Sequence, residues 1–270
     1  MTDAVVDVRG LLVRRAGRTI LGPLDWTVRD GERWVVLGPN GSGKSTLLSA
    51  IGLELWPTAG TVDVLGGRYG RIDSREHRRR IGSAGSAIEA TLRPDLTPVT
   101  IVMTARHAAT EPWWHVYTED DRARARALLD RLGLAAVADH AYSTLSAGER
   151  RRTSIARALM PDPELLLLDE PAASLDLGAR ESLIADLADL ATGSRPSAIV
   201  LVSHHVEEIP PGFSHALVLA DGAAVAAGPL GDVVTTDVLS RAFGLPIEVD
   251  RRDGRAWARM TTRERHTDRR

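Results

Sequence analysis

The stretch G38-P-N-G-S-G-K-S-T46 contains Lys44, the only lysine in the 270-residue sequence. With 34 Lys plus Arg in all, the other 33 are arginines. Gly38, Gly43, Lys44 and Ser45 satisfy G-x-x-x-x-G-K-[ST]. Glycines let such a loop turn tightly and bring backbone N–H groups against phosphate oxygens, and the helix that follows points its positive end at the same anion. Lysine puts a compact charge between the β and γ phosphates, and the Ser45 hydroxyl can ligate Mg²⁺. Arginine carries the same charge on a bulky planar fork that does not fit a loop closed around phosphate.

The flanks agree with that reading. "RWVVLG" before the loop is a short buried-strand signal, and "KSTLLSAIGL" after it has helical spacing. Around them, "AVVDVRGLLV", "RTILGPLDWTV" and "GTVDVL" alternate or cluster β-branched and apolar residues between glycine turns, so the first 65 or so residues read as β-rich. From about Ala87 to Thr153 the character becomes helical. "EDDRARARALLDRLGL" has acidic residues in its first turn and Gly133 near its end, and Ser146 with Glu149 forms a capping-box pattern in a helix that Pro161 stops. Continuous apolar runs return in "ELLLLDEP" and "AIVLVSHH", separated by the helical "LDLGARESLIADLADLA"; such strands alternating with helices predict a parallel sheet covered on both faces. Asp221-Gly222 predicts a hairpin, and the stretch after Leu239 alternates enough to be a small β addition.

Composition narrows the classes. A hydrophobic content of 43% and a charged content of 26% describe a globular chain, and the absence of cysteine excludes disulfides and thiolate metal sites. No apolar run approaches the roughly 18 residues of a membrane span, so a soluble chain is expected, one that reaches a membrane only through a partner. A net charge of −2 gives no reason to expect nucleic acid, although residues 251–270 carry a local excess of five positive charges and read as a solvated tail at their end.

A second set of chemistry-bearing residues lies downstream. Asp169 and Glu170 end the buried strand "LLLLD": a carboxylate there can hold Mg²⁺, and its neighbour can polarise a water. With the glycine loop they point to nucleoside triphosphate hydrolysis.

In order and spacing, "GPNGSGKST", "LSAGERRRTSIARALM", "LLLLDEP", "SLD" and "LVSHH" resemble the nucleotide-binding subunit of ATP-binding cassette (ABC) transporters over residues 4–230. The segments after "IG" and around "LTPVTIVMTARH" are most similar to the metal, siderophore and molybdate importer group. The resemblance implies an α/β fold: a P-loop NTPase core with a mainly parallel sheet, an N-terminal antiparallel β subdomain and an inserted α-helical subdomain. The expected divisions are 1–86 (β subdomain and first part of the core), 87–153 (helical insertion), 154–240 (second part of the core) and 241–270 (a C-terminal extension with a basic tail).

The resemblance also implies site roles. ATP and Mg²⁺ are the expected ligands. The Walker A loop, Gly38, Pro39, Asn40, Gly41, Ser42, Gly43, Lys44, Ser45 and Thr46, holds the phosphates; Ser45 and Asp169 take Mg²⁺, and Glu170 is the base. His204 senses the γ-phosphate, with His205 as the rival for that role. Asp176 is the D-loop acid, and Ser146, Ala147, Gly148 and Glu149 form the signature that meets the nucleotide of the opposite subunit. The sequence departs from the family at the base platform, where Arg15, or Arg14 with a one-residue shift, replaces an aromatic ring. It departs again at Ser86, where glutamine is usual, and at Ala147 and Glu149, where glycine and glutamine are commoner.

The partners implied are a second cassette, as homodimer or cassette heterodimer, and a separate transmembrane permease, with the chain cytoplasmic and peripheral at the inner face of the cell membrane. Trp113 and Trp114 read either as lining of the docking surface or as core of the insertion. The alternatives are a soluble ABC-type ATPase on ribosomes or DNA, and a weakly active regulatory nucleotide-binding protein.

Overall fold

The computed structural model describes residues 4–193 and 195–261; the basic tail expected at the C-terminus lies outside the described residues from 262 onward. Along the chain, β1 (Ala4–Arg15) and β2 (Arg18–Arg29) form a hairpin, β3 (Arg33–Leu37) enters the glycine loop, and α1 (Lys44–Ile51) leaves it. Next come β4 (Ala59–Val64), β5 (Gly67–Arg68), the one-turn α2 (Ser74–His77), β6 (Ile81–Gly85) and the short α3 (Ser86–Glu89). Three longer helices follow: α4 (Pro98–Thr104), α5 (Glu119–Arg131) and α6 (Ala147–Leu159). The chain then runs through β7 (Leu165–Asp169), α7 (Leu177–Thr192), β8 (Ala198–Val202), β9 (His215–Ala220) and β10 (Ala223–Pro229). It closes with α8 (Leu230–Val233), α9 (Thr236–Phe243), β11 (Ile247–Arg252) and β12 (Arg255–Met260).

Two sheets carry the molecule. β2-β1-β4-β5 is antiparallel, and β10-β9-β3-β8-β7-β6 is parallel except at its β10 edge. The α/β class with both sheet types therefore stands as expected. β3 and β8 are buried at every position, which is why their sequences run apolar without alternation. Their side chains still divide by parity. Val35, Leu37, Leu166, Leu168, Ile199 and Leu201 face the layer holding α6 and α7, while Val36, Leu165, Leu167, Val200 and Val202 face the layer holding α1 and the antiparallel sheet. Truncating one of these, Leu166→Ala for example, removes about 2–5 kcal/mol. The β9–β10 turn has φ of 49° at Asp221 and 78° at Gly222, the left-handed pair of a type I′ hairpin that the Asp-Gly sequence announces.

Strand order sets the position of everything that follows. β3, β8 and β7 are parallel neighbours, so their carboxyl ends open on the same edge of the sheet, the usual place for a ligand crevice in an α/β fold.

Candidate functional site

Each of those three strand ends delivers one group of candidate residues. β3 runs into the loop 38–43. Gly38 has no room for a side chain, since a Cβ there would lie 2.1 Å from the Leu219 carbonyl oxygen; at Gly43 (φ 97°) one would lie 2.9 Å from that of Ile20. Lys44 begins α1 with its side chain buried, and its Nζ donates to the carbonyl oxygens of Gly38 (2.8 Å) and Pro39 (3.0 Å). An ammonium has three donors, so these two bonds fix its direction and leave one N–H for an anion. Burial lowers the Lys44 pKa, opposed by the nearby carboxylates of Glu170 and Asp169.

β7 ends on Asp169, and the Ser45 hydroxyl donates to its Oδ1 at 3.2 Å. Burial raises the Asp169 carboxyl above the ordinary range, the Ser45 hydrogen bond lowers it, and the charge on Glu170 raises it again. Glu170 has a left-handed backbone, φ 46°, costly for a residue with a side chain and concentrated in proteins at functional positions. Its N–H donates to the Val202 carbonyl of β8 at 3.0 Å, which pins the turn to the neighbouring strand.

β8 delivers the histidines, and geometry separates the two rivals. His204 Nδ1 lies 3.4 Å from Glu170 Oε1, whereas His205 Nδ1 lies 3.6 Å from Glu207 Oε1. His204 is thus the histidine beside the carboxylate. Lys44, Ser45, Asp169, Glu170 and His204 meet at one edge. Asn40, Gly41, Gly43, Thr46 and Glu170 share a cavity there with Ile20, which the sequence did not single out. Ile20 follows a hairpin tip in β2, and nothing local in the sequence marks it.

The other candidates lie apart. Arg15 is exposed at the β1–β2 tip, beside a turn with φ of 47° at Ala16 and 76° at Gly17, and is not among the residues lining that cavity. Ser146 is the N-cap of α6: its hydroxyl accepts from the Glu149 N–H, and the Glu149 carboxylate accepts from the Ser146 N–H at 2.7 Å and its hydroxyl at 2.8 Å. These bonds hold the Glu149 carboxyl below its usual range. Among the described residues no hydrogen bond or ion pair joins 146–149 to the glycine loop, to Asp169 or Glu170, or to His204. Asp176 caps α7, accepting from the Ala179 N–H at 2.8 Å.

Ser86 opens α3 immediately after Gly85, which pairs with Asp169, so the serine stands one residue beyond the sheet position next to the site. From α3, Glu89 pairs with Arg151 of α6 at 2.7 Å. Trp113 and Trp114 are 60% and 85% exposed, so neither is core; Arg93 lies over the Trp113 ring at 4.6 Å.

The donor set suits a hard cation. Ser45 and Asp169 offer neighbouring oxygens, and among the described residues no group of three or more His, Cys, Asp or Glu could hold a metal by itself. Two protein oxygens completed by phosphate and water is the arrangement Mg²⁺ adopts with nucleotides.

The chain is similar to known proteins over most of its length. The model of the family described as ABC transporter matches residues 21–173. An ABC transporter ATP-binding protein of Streptococcus mutans is 37% identical over 246 residues, 91% of this chain and 94% of that one. The hemin import ATP-binding protein of Rhodococcus jostii is 35% identical over 89% of this chain and 80% of its own. A dimeric ATP-binding cassette solved in a post-hydrolysis state with ADP and Pi superposes with a TM-score of 0.72 at 26% identity, covering 83% of this chain and 98% of that one.

Proposed function

Because the chain belongs to the ABC transporter family, as an ATP-binding subunit that hydrolyses ATP, we propose that two cassettes close head to tail on Mg-ATP and drive a separate permease. The convergence of Lys44, Ser45, Asp169, Glu170 and His204 on one sheet edge carries this reading, together with signature residues 146–149 that, among the described residues, make no hydrogen bond or ion pair to that edge in their own chain. A site completed by Ser146 and Gly148 of a second cassette uses both halves.

In this account Lys44 holds the β and γ phosphates with its free N–H, and the loop N–H groups and the start of α1 bind the remaining oxygens. Ser45 and Asp169 would hold Mg²⁺, which supplies charge neutralisation between the phosphates. Glu170 accepts the proton of the attacking water as its oxygen bonds to the γ-phosphorus and the bond to the bridging oxygen breaks, releasing ADP and phosphate. His204, beside Glu170, donates to a γ-phosphate oxygen and keeps the water in line. The base of the nucleotide lies toward the β1–β2 tip, with Arg15 or Arg14 available to lie on its face.

The permease would grip the cleft between sheet and insertion, which Arg78, Arg79, Ile88 and Arg157 line, and the exposed Trp113 and Trp114 would add apolar surface for it to cover. That contact would hold the chain peripherally at the inner face of the cell membrane. No described helix is long and apolar enough to cross it. Similarity to the hemin import protein favours import.

Glu170→Gln tests the core of the proposal. It keeps the size and one acceptor oxygen but takes no proton, so ATP still binds, hydrolysis nearly stops, and a nucleotide-bound dimer accumulates on size exclusion with ATP. A Glu170→Gln protein that turns over like its parent removes Glu170 from this role, and one that stays monomeric with ATP removes the closed dimer.

A further inference from the structure

The C-terminal hairpin packs against the segment that follows β8. β11 and β12 pair in continuous register from Ile247 with Met260 to Arg252 with Arg255. One strand is tied to the body: Arg251 donates to the carbonyl oxygens of Gly231 (3.3 Å) and Val234 (3.0 Å), and the Val249 N–H donates to Thr236 Oγ1 (3.1 Å). The other strand lies along residues 206–208. There the Arg255 guanidinium donates to the Glu207 carbonyl oxygen at 2.6 Å and forks onto the Glu181 carboxylate. Ala256 is buried in the same core as Val206 and Ile209.

Glu207 closely follows His204, and Glu181 stands on α7 just after its cap, Asp176. Arg255 therefore staples the segment bearing His204 to the helix that begins at Asp176. On the inner side, the buried Ser203 hydroxyl donates to Glu208 and accepts from the His205 N–H at 2.9 Å. The segment is thus closed on itself from Ser203 to Glu208 and tied outward at Glu207, and His204 lies between those contacts in the chain. His204 Nδ1 is buried and makes no hydrogen bond among the described residues; with Glu170 Oε1 at 3.4 Å and the His205 ring against it, the aim of the His204 ring depends on where the backbone beneath it sits relative to those neighbours.

We infer that Arg255 is a positioning residue for hydrolysis: through the Glu207 carbonyl and Glu181 it sets the height of the loop that presents His204 to the γ-phosphate. The inference rests on the reading of His204 given above. Arg255 makes no hydrogen bond to Glu170 or to the glycine loop, and its two holds, on Glu207 and on Glu181 of α7, leave a route through His204 and a route through Asp176 that the following cycle separates.

The test is a double-mutant cycle on the full chain, with kcat, KM for ATP and melting temperature measured for each variant. Arg255→Ala is expected to lower kcat about three- to tenfold, the worth of one net hydrogen bond, with KM for ATP unchanged. Arg255→Lys, which keeps one of the two contacts, should recover part of the loss. In a His204→Ala background, Arg255→Ala should cost nothing further. Should Arg255→Ala not fold, Arg255→Gln carries the same cycle. Parental kcat in Arg255→Ala overturns the inference, as does a loss that persists undiminished in the His204→Ala background, which would mark a purely structural brace. Parental hydrolysis by His204→Ala would instead overturn the reading of His204 and the inference with it.

Discussion

Exchanging Lys44 for arginine keeps the charge and changes only its shape, which makes Lys44→Arg the sharpest probe of the phosphate loop. Lys44 is 5% exposed, and its Nζ is fixed by carbonyl oxygens at 2.8 and 3.0 Å. The loop has little slack, since Gly38 and Gly43 already sit against the Leu219 and Ile20 carbonyls. A guanidinium in that space must either bond the two carbonyls, turning its remaining N–H groups off the phosphate line, or reach the phosphate and leave the carbonyls unpaired. Either way about one charge-assisted hydrogen bond is lost, worth roughly 1.5–3 kcal/mol. At 1.4 kcal/mol per factor of ten, ATP turnover should fall about 10- to 100-fold or more. Steady-state phosphate release measures it, and an unchanged circular-dichroism melt shows that the fold survives. A second readout is independent of turnover. The chain's α-amino group is the only other primary amine, so an acylating reagent followed by mass spectrometry reports on Lys44 directly, and saturating Mg-ATP should shield it. Normal turnover by Lys44→Arg, or equal acylation with and without nucleotide, would refute the reasoning.

The base and the metal carboxylate give further expectations. With Arg15 exposed at a hairpin tip and no aromatic platform, base selectivity should be weak, and GTP should compete with ATP within about tenfold, near 1.4 kcal/mol, in competition binding; strong adenine selectivity would mean that a different residue reads the base. Asp169 has a folded pKa raised, chiefly by burial, above the ordinary aspartate value of 3.8, so its favourable contribution to the nucleotide-free fold is complete below that value and is lost as pH rises through the folded pKa. Asp169→Asn cannot ionise: without nucleotide it should melt above the parent at neutral pH, with the gap closing toward pH 4, while Mg-dependent hydrolysis is lost. A gap that is constant with pH would show that Asp169 bears no such burial penalty.

The fold was legible where the signal is local. A glycine loop between an apolar strand and a helix, unbroken apolar runs at β7 and β8, and Asp-Gly between β9 and β10 each fix an element from a few adjacent residues. The grouping of Lys44, Asp169, Glu170 and His204 was legible for a related reason: each ends or follows a buried strand, and parallel neighbours place their carboxyl ends together. What depends on distant packing was not. The placement of Ile20 in the phosphate cavity, the left-handed backbone of Glu170 and the staple from Arg255 to Glu207 join segments whose sequences say nothing of each other. Trp113 and Trp114 show the same limit, because a large aromatic residue suits a core and a docking surface equally well and only the packing decides.

The arginines show why this chain keeps a single lysine. Arg33 is buried and spends its fork on the carbonyl oxygens of Glu32, Ala191, Gly193 and Ser197, closing the end of α7 against β3. Arg80 grips both oxygens of Glu164, at 2.6 and 2.9 Å, and Arg68 grips those of Asp63. In each case the planar fork joins several acceptors whose positions are permanent, and rigidity is an advantage. Lys44 faces a different requirement. Two of its acceptors are permanent and the third is a phosphate oxygen that must arrive and leave with every turnover. A small ammonium meets the permanent pair and keeps a separate proton for the transient one. A fork that satisfied the carbonyls would hold its other donors in a fixed plane, unable to follow the γ-phosphate as its bond to the bridging oxygen breaks. Geometry, not charge, therefore separates position 44 from the arginine positions, and the loop that decides the fold is also the one place where this chain needs a charge without a fixed plane.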